Sequence, residues 1–514
     1  MPTRTLKTLC LASVVAACAG AAAAQSPSAP DLSARIPSVI PKVEEEVARG
    51  MRLFDIPGVA VGIISGDKLV YGKGFGVRSK GGKEPVDTKT VFQIGSATKA
   101  FLAATLAISV DKGAFQWDSR VVDLEPTFQL KDPWTTREFR VFDLIAQRSS
   151  LPPYVNDVLT ALGYDEPQIV RSLRYAEPIS SFRSAFSYTN VTHLLAGRMV
   201  ARQRGVADWN ALVAKDILGP LGMKDTSWTA ETISAAPNHA MGNRWTPKGS
   251  VEIPFDSSFP YLLGPAGNLN SNVEDASRWL RLQLGNGTFE GNRIVSPENL
   301  AATRVARVGV TDTMSYAQGW ALTQTPHGRV IWHNGGTSGF GTHMGFLPDY
   351  GVGVVVLSSL ENQGFADALA MTLYDTLIGN PPTDHVKIAF DRAQANAAST
   401  DKRFTRPANA AASPDLAGLA GTYGSDMFGD TLVERKDDGL LLTLKDTGAK
   451  LTLQPFDGSI FLVHLVGEGK FAPVAAMGGD APLGFMDFQA DANGKLATMT
   501  WLYDDTQSYP FKRK

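Results

Sequence analysis

The sequence predicts an α/β (α+β) chain: an antiparallel sheet flanked by helices, then a small antiparallel sandwich or β-barrel. Three observations carry this. Two strand-like runs near residue 60 and three between 329 and 359 bracket a long stretch of helical periodicity, so both ends of that stretch can close one sheet. The tail from residue 416 alternates apolar and polar residues, with turn signals every ~8–10 positions. At 514 residues the chain also exceeds what one ordinary core organises. The expected division is a leader over 1–24, a sheet-and-helix domain over 31–385, a linker over 386–412 and the barrel over 413–514.

Taken in order, "MPTRTLKTLCLASVVAACAGAAAAQ" has Arg4 and Lys7, then an apolar run, then Ala22-Ala23-Ala24. That is the pattern of a secretory signal cleaved before Gln25. Val15-Ala16-Ala17-Cys18 offers a competing processing site, with lipid attached to Cys18. Both cysteines, Cys10 and Cys18, fall in this segment, so the mature chain is expected to have no disulfide and no thiol chemistry. Val43 to Phe54 has helical spacing. Val59–Ile64 and Leu69–Phe75 read as strands around Ser65-Gly66-Asp67. Gly72, Gly74 and Gly76 resemble a dinucleotide-binding loop only superficially, since no helix follows, and a bulged strand is expected.

Thr98–Asp111, Phe142–Ala146, Thr192–Gln203 and Ala276–Leu284 read as helices; Arg329–Trp332, Gly341–Leu347 and "GVGVVVLSS" read as strands. Residues 386–412 are rich in Ala, Asn and charge with little apolar periodicity, hence the expected linker.

Composition excludes some function classes. The chain is 44% apolar and 19% charged with net charge −2 and no basic block, which argues against nucleic acid as partner. No apolar run beyond the leader reaches the ~18 residues of a membrane span. His193, His239, His327, His343, His385 and His464 show no metal-ligand spacing, so no metal is expected, and His193 reads as packing.

The chemistry-bearing stretch is "FQIGSATK". Ser96 and Lys99, at i and i+3, share a helix face with Cβ atoms ~5–6 Å apart. A serine there meets the unpaired N–H groups and partial positive charge of a helix start. Desolvation can lower a lysine pKa from about 10.4 toward neutrality and make it a base. Two further boxes follow: Tyr188-Thr189-Asn190 before a helix, and His333-Asn334-Gly335-Gly336 at a strand end. Taken singly, Tyr188 reads as a core tyrosine, Asn190 as a helix cap and His333 as a satisfied strand-end histidine. Their occurrence together, in this order, points to a catalytic set.

That order resembles the serine β-lactamase and penicillin-binding protein superfamily, through its S-x-x-K, Y-x-N and [KH]-x-G boxes. The nearest branch is that of class C β-lactamases, D-aminopeptidases, D-Ala-D-Ala carboxypeptidases and β-lactamase-like esterases. "ILGPLGMKDTSW", "GPAGNLNSNVEDASRWL" and "YAQGWAL" extend the resemblance over roughly residues 40–380. The tail is similar to a lipocalin-like domain attached to many relatives.

The resemblance implies a β-lactamase-like hydrolase fold with Ser96 as acylated nucleophile and Lys99 as its proton partner. Tyr188 would relay the proton or share base duty, a division left open. Asn190 would bind Lys99 and a substrate amide, and His333 a substrate carboxylate or the tyrosine. Gly335 would let substrate lie along the strand, and the N–H groups of Ser96 and Gly336 would form the oxyanion hole.

No cofactor is implied. The expected activity is hydrolysis of small or D-residue-containing peptides by an exported, periplasmic enzyme. Ester hydrolysis, β-lactam hydrolysis and a non-catalytic acylatable sensor are the alternatives, and homo-oligomerisation is left open. Gln147-Arg148-Ser149-Ser150-Leu151-Pro152 departs from the relatives' HTSGLP, and Ser180-Ser181 from their Pro-Gly turn. Both departures are expected to border the cleft without touching the catalytic set.

Overall fold

The computed structural model describes residues 32–514; the leader, Cys10, Cys18 and the cleavage site lie outside the described residues. Eight strands build one antiparallel sheet: β1 (Gly58–Ser65), β2 (Lys68–Gly76), β3 (Val308–Gly309), β4 (Met314–Tyr316), β5 (Ala321–Thr325), β6 (Gly328–Gly336), β7 (Gly341–Leu347) and β8 (Val352–Ser358). Their order is β2-β1-β8-β7-β6-β5-β4-β3, so the two ends of the domain meet at the β1–β8 pair, as the strand pattern implies. Tyr71 and Leu69 pair with consecutive residues of β1, which leaves Val70 as the expected bulge in β2.

Both faces of the sheet are covered, and the period of two along each strand divides its side chains between two cores. Val59, Val61 and Ile63 of β1, with Val352, Val354 and Val356 of β8, enter one core. Ala60, Ile64, Val355 and Leu357 enter the other. The first core is roofed by α1 (Ile36–Phe54), α5 (Phe365–Ile378) and α6 (His385–Phe404). The second is roofed by α2 (Thr98–Asp111), α3 (Val191–Gln203) and α4 (Val273–Leu284). Helix α2 is buried on every side from Thr98 to Ser109, as expected for a helix with no polar face.

The linker expected over 386–412 is mostly helix instead. Val386, Ala389 and Ala393 of α6 are buried at i, i+3 and i+7, and Phe390 stands edge-on to Phe54 at 5.2 Å. The stripe is built largely of alanine, whose weak hydropathy hides the periodicity in the sequence. Beyond it, eight strands from Gly421 to Arg513 form an up-and-down closed barrel whose last strand pairs with its first. Phe428, Leu442, Phe461, Met499, Trp501 and Phe511 fill its interior and join the second core of the larger domain. Among the described residues no helix is long and apolar enough to cross a membrane.

Phe54 is fully buried among Trp245, Phe365 and Phe390. Phe54→Ala should cost about 3–5 kcal/mol in denaturant unfolding. It should also strip hydrogen-exchange protection from His385–Phe404. Equal protection in both forms would contradict the docked helix.

Candidate active site

Ser96 sits in a single 3-10 turn, Gly95–Ala97, that runs directly into α2. This turn is pressed against the end of β6 by two glycines. Gly95 has φ +49°, and a Cβ on it would lie 2.8 Å from the Gly336 nitrogen. A Cβ on Gly335 would lie 1.8 Å from the Ile94 carbonyl oxygen and 3.2 Å from the Ser96 nitrogen. Gly335 therefore faces the serine turn and not a substrate, and its missing side chain lets two backbones touch. Ser96 and Gly336 both line the adjoining cavity.

Lys99, one turn into the helix, is completely buried. Its Nζ lies 2.9 Å from Ser96 Oγ, 2.7 Å from Asn190 Oδ1 and 2.8 Å from the Ala266 carbonyl oxygen. The last two groups only accept, so they take two N–H bonds. The third direction points at a hydroxyl that can either accept or donate. The geometry thus suits both an ammonium and a neutral amine whose lone pair faces Ser96. Burial lowers the Lys99 pKa to about 7, against the opposing pull of Asp157.

Tyr188 lines the same cavity as Ser96, and its ring centroid lies 4.7 Å from Lys99 Nζ. Burial holds its phenol well above the usual value, so it is protonated at neutral pH. Asn190 precedes α3 but makes no side-chain cap bond. Its amide is spent on Lys99 and on Asp157, to whose Oδ2 it donates at 2.6 Å.

His333 does not meet Tyr188 as a hydrogen-bond partner. Its Nδ1 donates to the Asn334 carbonyl oxygen at 2.6 Å, which leaves Nε2 to accept from the Tyr316 hydroxyl at 2.9 Å. Burial, with Lys99 nearby, lowers its pKa to about 3, so it is a neutral ring without charge for a carboxylate. Of the two partners expected for His333, a substrate carboxylate or the tyrosine box, the structure supplies a different tyrosine, Tyr316.

Several residues of the site have no motif. Asp157 lies on a loop before Val158, and burial raises its pKa to about 7 while Asn190 and Lys99 pull it down. Its Oδ1 is buried without a partner. Tyr316 and Tyr154 also line the cavity, the ring of Tyr154 lying 5.3 Å from that of Tyr188. Among the described residues Gln147 makes no hydrogen bond to Ser96, Lys99 or Tyr188, but it does reach the tyrosine box. Its Oε1 accepts from the Thr189 nitrogen at 2.6 Å and its Nε2 donates to the Thr189 carbonyl at 3.2 Å. It thereby pins the middle residue of the tyrosine box. His193 is fully buried on α3, in keeping with its reading as packing.

The cavity holds about 450 Å³. Its walls are Phe186, Phe259, Met314, Trp332 and the three tyrosines, with Asp157 the one acidic side chain and no arginine or lysine among the described lining residues. A serine beside a buried amine at the wall of an apolar cleft permits acyl transfer.

Residues 43–376 match the Beta-lactamase family, and residues 405–513 match a Domain of unknown function (DUF3471). "Unguisins hydrolase ungD" of Aspergillus violaceofuscus is 24% identical over 84% of this chain and 84% of its own length. "Unguisins hydrolase ungD'" of Aspergillus campestris is 29% identical over 60% of each chain. The octameric penicillin-binding protein homologue from Pyrococcus abyssi superposes with a TM-score of 0.61 and 19% identity, covering 92% of this chain and 100% of that one. With the family match spanning most of the sheet-and-helix domain, this chain belongs to the Beta-lactamase family, within the β-lactamase and penicillin-binding protein superfamily of serine-hydrolase-type enzymes.

Proposed function

We propose that this protein is an exported, periplasmic hydrolase that cleaves amides through an acyl-enzyme on Ser96, with small or D-residue-containing peptides as substrates. The observation that carries the reading is the position of Lys99: buried, bonded to two obligate acceptors, and aimed at Ser96 Oγ. In its neutral form Lys99 takes the Ser96 proton as Oγ attacks the carbonyl carbon. The N–H groups of Ser96 and Gly336 receive the oxyanion. Each such donor is typically worth ~10²–10³ in rate.

Tyr188, held as a phenol, passes a proton to the leaving nitrogen as the C–N bond breaks, and Lys99 re-protonates it. Water then attacks the acyl carbon by the reverse relay and frees Ser96. This assigns base duty to Lys99, because a phenol held so far above neutrality is a poor base. Placement in the branch with D-aminopeptidases and β-lactamase-like esterases is part of the same proposal.

The second reading is ester hydrolysis, which the neutral His333 and the cation-free, aromatic cavity favour. Both features weigh against substrates recognised through a carboxylate, peptides with a free C-terminus at that position included. Relatives named as hydrolases support turnover over stable acylation.

Ser96→Ala should retain the fold and lose at least ~10³-fold in turnover. Nitrophenyl esters, D- and L-aminoacyl anilides and a chromogenic cephalosporin, assayed side by side, would rank the substrate classes. An active alanine variant would refute the mechanism.

The pH dependence follows from Lys99, whose neutral form is the active one. Activity should rise with pH through about 7. Asp157 raises the Lys99 pKa, so Asp157→Asn should move that limb to lower pH. A limb unmoved, or moved upward, in pH–rate profiles would contradict the coupling.

A further inference from the structure

The loop that carries Tyr154 and Asp157 is held from outside the catalytic domain. Tyr154 and Asn156 have φ +53° and +58°, left-handed values that side-chain-bearing residues adopt at a cost. On its inner side the loop is tied to the active site. The Tyr154 nitrogen donates to the Tyr188 carbonyl oxygen at 2.7 Å, and Asp157 accepts from Asn190. On its outer side the loop is tied to one barrel segment, Asp504–Tyr509.

Gln507 is the centre of that segment and is almost wholly buried. Its Oε1 accepts from the Asn156 nitrogen at 2.9 Å, and its Nε2 donates to the Pro153 carbonyl oxygen at 3.1 Å. One amide thus satisfies two backbone groups of the strained loop. Asp504 fixes the amide by accepting from Nε2 at 2.8 Å, and the Tyr509 hydroxyl donates to Oε1 at 2.8 Å. The same hydroxyl lies 3.4 Å from Asn156 Oδ1, while the Asn156 amide donates to Ser172 within the catalytic domain.

From these contacts we infer that Gln507 is a positioning residue for the active site: the barrel holds the 153–157 loop closed over the Asp157–Asn190–Lys99 chain. This rests on the serine-hydrolase reading and gives the barrel a part in that reaction. Without the clamp, Asn156 and Pro153 lose their buried partners and the loop has little to keep it in left-handed geometry. Opening it separates Asp157 from Asn190 and admits water to Lys99. Desolvation is the largest cause of the lowered Lys99 pKa, so hydration returns it toward the free-lysine value. The groups that bear on Lys99 are Asp157, His193, His333 and the Tyr188 ring; Tyr154 and Tyr188, with Tyr503 and Tyr509 of the barrel, bear on Asp157.

The test uses the full chain and a fluorophosphonate probe, which Ser96 Oγ attacks at phosphorus with loss of fluoride, and separates the first-order labelling constant from probe affinity across pH. Gln507→Ala should lower that constant by about tenfold or more near pH 7, as expected for a catalytic chain displaced by about an ångström. Its pH limb should move upward, opposite to that of Asp157→Asn. Tyr509→Phe, which removes one hydroxyl from the clamp, should shift both quantities the same way by less.

Tyr164→Phe is the control. It deletes a different bond between the domains, Tyr164 hydroxyl to the Phe428 carbonyl at 2.8 Å, and should take the label as the parent does. Parent-like constants and limbs in both Gln507→Ala and Tyr509→Phe would overturn the inference, as would an equal loss in Tyr164→Phe. A parent chain that takes no label at Ser96 would overturn the serine reading and this inference with it.

Discussion

The burial of one amine organises this structure. Lys99 is completely enclosed, and a lysine side chain in that position is tolerated only if its donors are met and its charge is either paired or given up. Ala266, Asn190 and Ser96 meet the donors. Ser96 is local, one helical turn away, but Asn190 and Ala266 come from distant parts of the chain, so the helical region must fold around α2 for either to arrive. Core and chemistry are therefore one arrangement: the apolar surroundings that stabilise α2 are also what lower the Lys99 pKa.

A second constraint brings the nucleophile to the sheet. The turn at Gly95 and the strand end at Gly335 approach until a single methyl group on either would collide with backbone. Close contact there brings Ser96 and Gly336 to the wall of one cavity, and neither helix nor strand alone would do so. The barrel adds a third constraint from outside, through an amide that reaches the loop behind Asn190.

What is legible in the sequence follows from the range of each interaction. The Ser96–Lys99 spacing is local, so helix geometry makes the pair readable, and the β1 and β8 runs announce strands buried on both faces. Tyr188, Asn190 and His333 emerge through a resemblance, and the structure gathers all of them around one cavity. The rest depends on contacts the sequence does not encode locally. His333 reads as a partner of a substrate carboxylate or of Tyr188, but its ring nitrogens meet the Asn334 carbonyl and Tyr316. Gly335 reads as a substrate-side glycine, yet its missing side chain faces Ile94. Asp157 and Gln507 carry no motif and sit 350 positions apart, and α6 hides its packed stripe in alanines. Gln147 stands where relatives carry histidine, and only its bonds to Thr189 reveal why that position matters.

The most direct test of the base assignment is the titration of Lys99 itself, followed by NMR of side-chain-labelled lysine in the resting protein. A midpoint near 7, far below the ordinary value of 10.5, is the expected result. A Lys99 that keeps its proton to pH 10 would contradict a neutral amine facing Ser96, and with it the role given to burial.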